Sequence, residues 1–115
     1  MTIRIFHNPR CSKSRTTLAL LQENGIEPEV TLYLETPPGE DELRSILKKL
    51  GLAPRDLMRK GEAEYKEQGL ADPALGDDEL IHAMATTPKL IERPIVLANG
   101  KAALGRPPES VLEIL

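Results

Sequence analysis

What the sequence has little of narrows it first. Among 115 residues there is no Trp, one Phe and two Tyr, so any core must be built from Leu, Ile, Val and Ala. A single Cys excludes an internal disulfide and suits a reducing compartment. No run of 18 apolar residues occurs, and the opening MTIRIFHNPRCS lacks a signal-like apolar stretch. The expectation is a cytoplasmic protein with no membrane partner. Neither sign of charge dominates: 15 Lys and Arg stand against 18 Asp and Glu, a net charge of −3. Duplex nucleic acid is therefore not an expected partner, since little would be gained from counterion release. One Cys and two His cannot assemble a soft metal-ligand set, and no phosphate-loop or dinucleotide glycine pattern is present. With 40% hydrophobic and 29% charged residues, the composition is that of a folding globular chain. Its length predicts one domain over residues 1–115, most simply a monomer.

Periodicity orders the elements. Ile3 and Ile5 share one face of an extended run over residues 2–6, and His7-Asn8-Pro9 follows as a turn cluster. Ser12 is the expected N-cap of a helix whose apolar face is Leu18 and Leu21 with Ala19 and Leu20, ending at Asn24-Gly25. Val30, Leu32 and Leu34 alternate with Thr31 and Tyr33, which predicts a strand over 29–34 broken by Thr36-Pro37-Pro38-Gly39. Leu43, Ile46, Leu47 and Leu50 follow the helical period, with acids in the first turn and Gly51 at the end. Residues 53–91 carry short helical pieces and no strand pattern, with a helix opened by Asp77-Asp78-Glu79 and carrying Leu80, Ile81 and Met84. Asn99-Gly100 between Ile95–Ala98 and Lys101–Leu104 signals a type I′ hairpin. After Pro107-Pro108 a last helix is expected, with Val111, Leu112 and Leu115 on one side. The order implies an α/β fold: a small mixed sheet flanked by helices, with a helical insertion at about residues 53–91.

The chemistry concentrates in His7-Asn8-Pro9-Arg10-Cys11-Ser12-Lys13-Ser14-Arg15. A thiol at a strand-to-helix junction meets free backbone N–H groups and the positive end of the helix dipole, and both lower its pKa. Arg10, Lys13 and Arg15 add positive charge, as would a protonated His7. The same N–H groups can cradle an oxyanion, so nucleophile and anion would share one place. A lone Cys is also often a small buried hydrophobe, and His7 is as readily a structural residue as a proton-transfer group. Ser12 and Ser14 can each serve only the helix start. Position 17 is Thr and not Arg, the nearest Arg after the Cys being Arg15, which sharply weakens a phosphatase-type cradle. Position 14 is Ser and not Cys, so any sulfur adduct has to be resolved by another molecule. Arg59, Arg93 and Arg106 offer planar forks for a tetrahedral anion. The last two precede Pro, which holds their backbone extended and makes Arg93-Pro94 a candidate cis peptide. Taken singly, each is also a plausible solvated surface charge.

These residues resemble the glutaredoxin-dependent arsenate reductase family, in particular its shorter-chain members. The similarity runs through Phe6 to Arg15, Leu32-Tyr33-Leu34, Thr36-Pro37-Pro38, Leu57-Met58-Arg59-Lys60, Glu92-Arg93-Pro94-Ile95-Val96 and Gly105-Arg106-Pro107-Pro108. It implies a thioredoxin-like fold and a reaction. Cys11 attacks arsenate, glutathione attacks the thiol-arsenate adduct, and glutaredoxin takes the glutathionyl group as arsenite leaves. It further implies that Arg59, Arg93 and Arg106 bind the oxyanion, that His7 and Ser14 help depress the Cys11 pKa, and that no cofactor is bound, glutathione being a cosubstrate. Ser12-Lys13 after the Cys depart from the small residues of well-studied members. Two other readings stand beside this one: a non-enzymatic interaction module akin to the RNA polymerase-binding branch of the same fold, and a glutathione-dependent thiol reductase on another substrate.

Overall fold

The computed structural model describes residues 2–115, in which contacts group the chain into two compact units: residues up to Thr36 together with Arg93–Leu115, and Pro37–Glu92.

The first unit is a four-stranded mixed sheet of order β2-β1-β3-β4. Strand β1 (Arg4–His7) lies parallel to β2 (Glu29–Leu32), the two being joined through helix α1 (Ser12–Glu23). It lies antiparallel to β3 (Ile95–Ala98), which forms a hairpin with β4 (Lys101–Leu104). Asn99 and Gly100 hold φ of 55° and 73°, the two positive angles that a type I′ turn requires. Ile5, Leu21, Val96 and Val111 form a fully buried aliphatic cluster, with Ile3, Leu18, Ile26, Ala103 and Ile114 against it. The α/β class and the thioredoxin-like mixed sheet expected from the resemblance are what the chain adopts.

Four local expectations give way to tertiary packing. Cys11, not Ser12, is the N-cap of α1, and no side chain caps that end. Along α1 the buried positions are Ser14, Thr17 and Leu21, while Ala19 is exposed. The inward stripe therefore begins with two polar residues, each of which has a hydrogen-bond partner for its hydroxyl. Strand β2 ends at Leu32, and its pattern is inverted: Tyr33 is buried, whereas Val30, Leu32 and Leu34 are 43%, 37% and 43% exposed. β2 is an edge strand, paired on one side only, and its Val30 and Leu32 side chains lie on a stretch that no other element covers fully. The C-terminal segment Pro108–Ile114 is a 3₁₀ helix. Its period of three aligns Val111 with Ile114 and leaves Leu112 and Leu115 outside.

The second unit is helical. Helix α2 (Glu40–Leu50) buries Leu43, Ile46 and Leu47 and ends at Gly51, whose φ of 70° lets Leu52 N–H reach back to the Leu47 carbonyl at 3.1 Å. Helices α3 (Ala63–Glu67) and α4 (Asp77–Thr86) and two 3₁₀ turns, Pro54–Leu57 and Pro88–Leu90, complete it. α2 packs on α4, which is why the compact helical unit begins at Pro37 rather than near residue 53. The one β contact here is the isolated bridge Met58–Ile91, beside which Arg59 N–H donates to the Leu90 carbonyl at 2.7 Å. Among the described residues no helix is long and apolar enough to cross a membrane.

Candidate active site

Cys11 closes the turn between β1 and α1, its N–H donating to the Asn8 carbonyl at 3.0 Å. Asn8 stiffens the same turn: its Oδ1 accepts the Arg10 N–H at 3.0 Å, an Asx arrangement. As N-cap, Cys11 places its sulfur among the first helical N–H groups. Burial pushes the thiol pKa up. The Ser14 N–H, the Arg93 charge, the Lys13 N–H and a hydrogen bond from Arg93 together outweigh it, so the thiol titrates below its ordinary value. Cys11 is partly exposed, and its thiol is inclined to ionise.

The charges near it are not those that sequence adjacency suggests. The Arg15 guanidinium donates to the Pro9 carbonyl at 2.9 Å, and Lys13 contributes its backbone N–H. The side-chain cation acting on the thiol is Arg93, delivered from the far end of the chain at the entry to β3. His7 adds no charge either. It is the last residue of β1, only 6% exposed, and burial followed by the nearby Arg15 charge lowers its pKa. His7 is therefore neutral near pH 7, contrary to the protonated form considered from the sequence.

Ser14 is fully buried and serves two partners. Its Oγ accepts the Asn8 N–H at 3.0 Å and lies 2.6 Å from His7 Nδ1. The hydroxyl, with one proton and two lone pairs, can meet Nδ1 of the neutral ring as donor or as acceptor according to the imidazole tautomer, while still accepting the Asn8 N–H. The Ser14 backbone thus faces the thiol while its side chain fixes the imidazole.

Arg93 and Arg106 are brought together: Arg106 Nε donates to the Arg93 carbonyl at 2.9 Å. Both precede cis prolines, Pro94 and Pro107, the first as the sequence suggested and the second in addition. Between them Gly105 donates its N–H to the Pro94 carbonyl at 3.0 Å. A Cβ there would lie 2.5 Å from Thr17 Oγ1 and 2.7 Å from Pro94 Cγ, so only glycine lets α1 and these two loops approach so closely. Arg59 belongs to the second unit. Its Nη1 is 2.8 Å from Glu62 Oε1, and Glu62 in turn lies 3.5 Å from Lys89 Nζ. Gly105, Asn8 and Glu62 were not singled out from the sequence. Asn-Pro turn chemistry, an acid three residues after Arg59 and the run Gly105-Arg106-Pro107-Pro108 were the available signals, though none gave Gly105 its packing role.

A family model described as the ArsC family matches residues 6–114. An Escherichia coli protein, YfgD, described as uncharacterized, is 62% identical over 114 residues, covering 98% of this chain and 96% of its own. An arsenate reductase of Neisseria meningitidis serogroup B is 58% identical over 114 residues, covering 98% and 97%. The solved structure described as arsenate reductase from Vibrio cholerae superposes with a TM-score of 0.97 at 58% identity, covering 100% of this chain and 98% of that one.

Proposed function

Because the chain belongs to the ArsC family, matched over residues 6–114, we propose that it reduces arsenate to arsenite. The observation that carries this is Cys11 at the N-cap of α1, with the Ser14 and Lys13 N–H groups and Arg93 turned toward its sulfur. The same donors that favour a thiolate favour a tetrahedral anion beside it. Relatives named arsenate reductase, 58% identical in Neisseria meningitidis and in the Vibrio cholerae structure, support the substrate.

In this reading the Cys11 thiol attacks arsenic, an S–As bond forms and one arsenate oxygen leaves as water, with arsenic still pentavalent. The chain has one Cys, so the next thiol comes from outside. Glutathione attacks arsenic and a second water departs, which places arsenic between the two sulfurs. A glutaredoxin thiol then attacks the glutathionyl sulfur. That S–As bond breaks, its electron pair reduces arsenic to the trivalent state, and glutaredoxin leaves as the mixed disulfide. Water releases arsenite and restores the Cys11 thiol. Arg93, Arg106 and Arg59 hold the oxyanion by the family resemblance, Arg93 also lowering the thiol pKa. The reaction calls on no resident cofactor, and glutathione is consumed as cosubstrate in a reducing compartment.

The test is arsenate-dependent NADPH oxidation in a mixture of glutathione, glutathione reductase and glutaredoxin. Wild type should turn over and Cys11→Ser should not, with its thermal melt retained. Equal rates in both would refute the nucleophile. No rate in either, with Cys11 still rapidly alkylated, would refute arsenate as the substrate.

A further inference from the structure

The inverted edge strand has a second feature. Leu32 and Leu34, exposed where their alternation predicts burial, form one wall of a groove of about 320 Å³ whose opposite wall is the His7–Arg10 turn that leads into Cys11. That volume lies near the lower end of small-molecule sites, about 300–1,000 Å³. Exposed apolar surface rimmed by polar groups is the composition of a ligand-binding groove. Arg10 lines the groove from the turn and Glu35 from the segment after β2. Among the described residues no ion pair engages either side chain.

We propose that this groove is the subsite for the small zwitterionic thiol that resolves the Cys11 adduct. The inference rests on the external thiol of the proposed function and adds where it binds and by which groups. A tripeptide such as glutathione carries an ammonium and a carboxylate at its γ-glutamyl end, a second carboxylate at the other end and a thiol between them. Glu35 suits the ammonium, and the Arg10 fork suits a carboxylate. Pro9, Leu32 and Leu34 cover the methylene stem. The groove is lined up to Arg10, the residue before Cys11, whose Cα lies about 3.8 Å from that of Cys11, and a three-residue ligand spans about 10 Å, long enough to carry its central thiol from the groove to the adduct. The bond made from this subsite is sulfur to arsenic, with the thiol proton leaving on the departing water. Exposed ion pairs are individually weak, which suits a cosubstrate that must be released.

S-Methylglutathione, whose blocked thiol cannot react, is the probe for the full-length chain. Added to ¹⁵N-labelled protein, it should shift the backbone amides of Asn8, Arg10, Leu32, Leu34 and Glu35. Glu35→Gln and Arg10→Gln should each weaken its binding about fivefold, and an analogue lacking the α-amino group should bind wild type and Glu35→Gln equally. Shifts confined to Arg93–Ile95, or unchanged affinity in both variants, would overturn the proposal. So would groove amides that move on dilution without ligand, since a second copy would then be the occupant. The coupled assay separates this from the parent reading. Glutathione-dependent turnover without groove shifts refutes the groove alone, whereas groove shifts without arsenate turnover support the groove and refute the substrate.

Discussion

Removing one buried hydroxyl, in Ser14→Ala, tests the site's construction most directly. Ser14 Oγ is the partner of both His7 Nδ1 at 2.6 Å and the Asn8 N–H at 3.0 Å, and Ser14 is fully buried. Asn8 is partly exposed, so its N–H can turn to water at little cost. His7 is only 6% exposed, and its ring nitrogen would be left without a partner, a loss of about 1–3 kcal/mol. Taking about 2 kcal/mol, and about 4 °C per kcal/mol for a chain of this size, Tm should fall by about 8 °C. Ser12→Ala is the control. Ser12 is exposed and caps nothing, so it should stay within about 0.5 kcal/mol of wild type, although as an N-cap it would have cost about 1 kcal/mol. Calorimetry of the three proteins decides the stability. Alkylation of Cys11 against pH decides the chemistry: the Ser14 N–H survives the substitution, so the thiol should still titrate below its ordinary value. A melt within about 2 °C of wild type for Ser14→Ala, or an equal loss for Ser12→Ala, would refute the assignment of roles. A thiol returned to its ordinary pKa would show that the hydroxyl, not the backbone, tunes Cys11.

Other consequences are as direct. Arg93→Gln removes a charge and a hydrogen bond from the thiolate, so the alkylation profile should move to higher pH, and an unchanged profile would remove Arg93 from the site. His7 has a folded pKa below its unfolded value of about 6.5. Between the two values the unfolded chain binds the extra proton, so stability should fall as pH drops below about 6.5. Urea midpoints at pH 7.5 and 5.5 should show that loss in wild type and less of it in His7→Gln. Gly105→Ala forces a Cβ to 2.5 Å from Thr17 Oγ1 and 2.7 Å from Pro94 Cγ. It should cost about 1–3 kcal/mol by overpacking, and a wild-type denaturation midpoint would contradict the close approach.

Much of the molecule was legible because its determinants are local. The Asn99-Gly100 turn needs two positive φ angles and nothing else. α2 combines apolar residues at helical spacing, acids at its start and Gly51 at its end. Cys11 between a strand and a helix marks the candidate nucleophile from local sequence alone. What stayed illegible depends on partners distant in the chain. Whether Val30, Leu32 and Leu34 face core or water depends on which elements pack over that stretch in space, which alternation cannot tell. The burial of Ser14 and Thr17 requires neighbours that satisfy their hydroxyls, so hydrophobic periodicity passes over them. The cation that lowers the Cys11 pKa is Arg93 rather than the adjacent Arg10, Lys13 or Arg15 side chains, and the neutral state of His7 follows from its burial. Sequence alone thus determined which residues could react and which local elements carry them. The tertiary structure decided which charge faces the thiol, which face of β2 meets water and which histidine form persists, because desolvation and charge act through space and not along the chain.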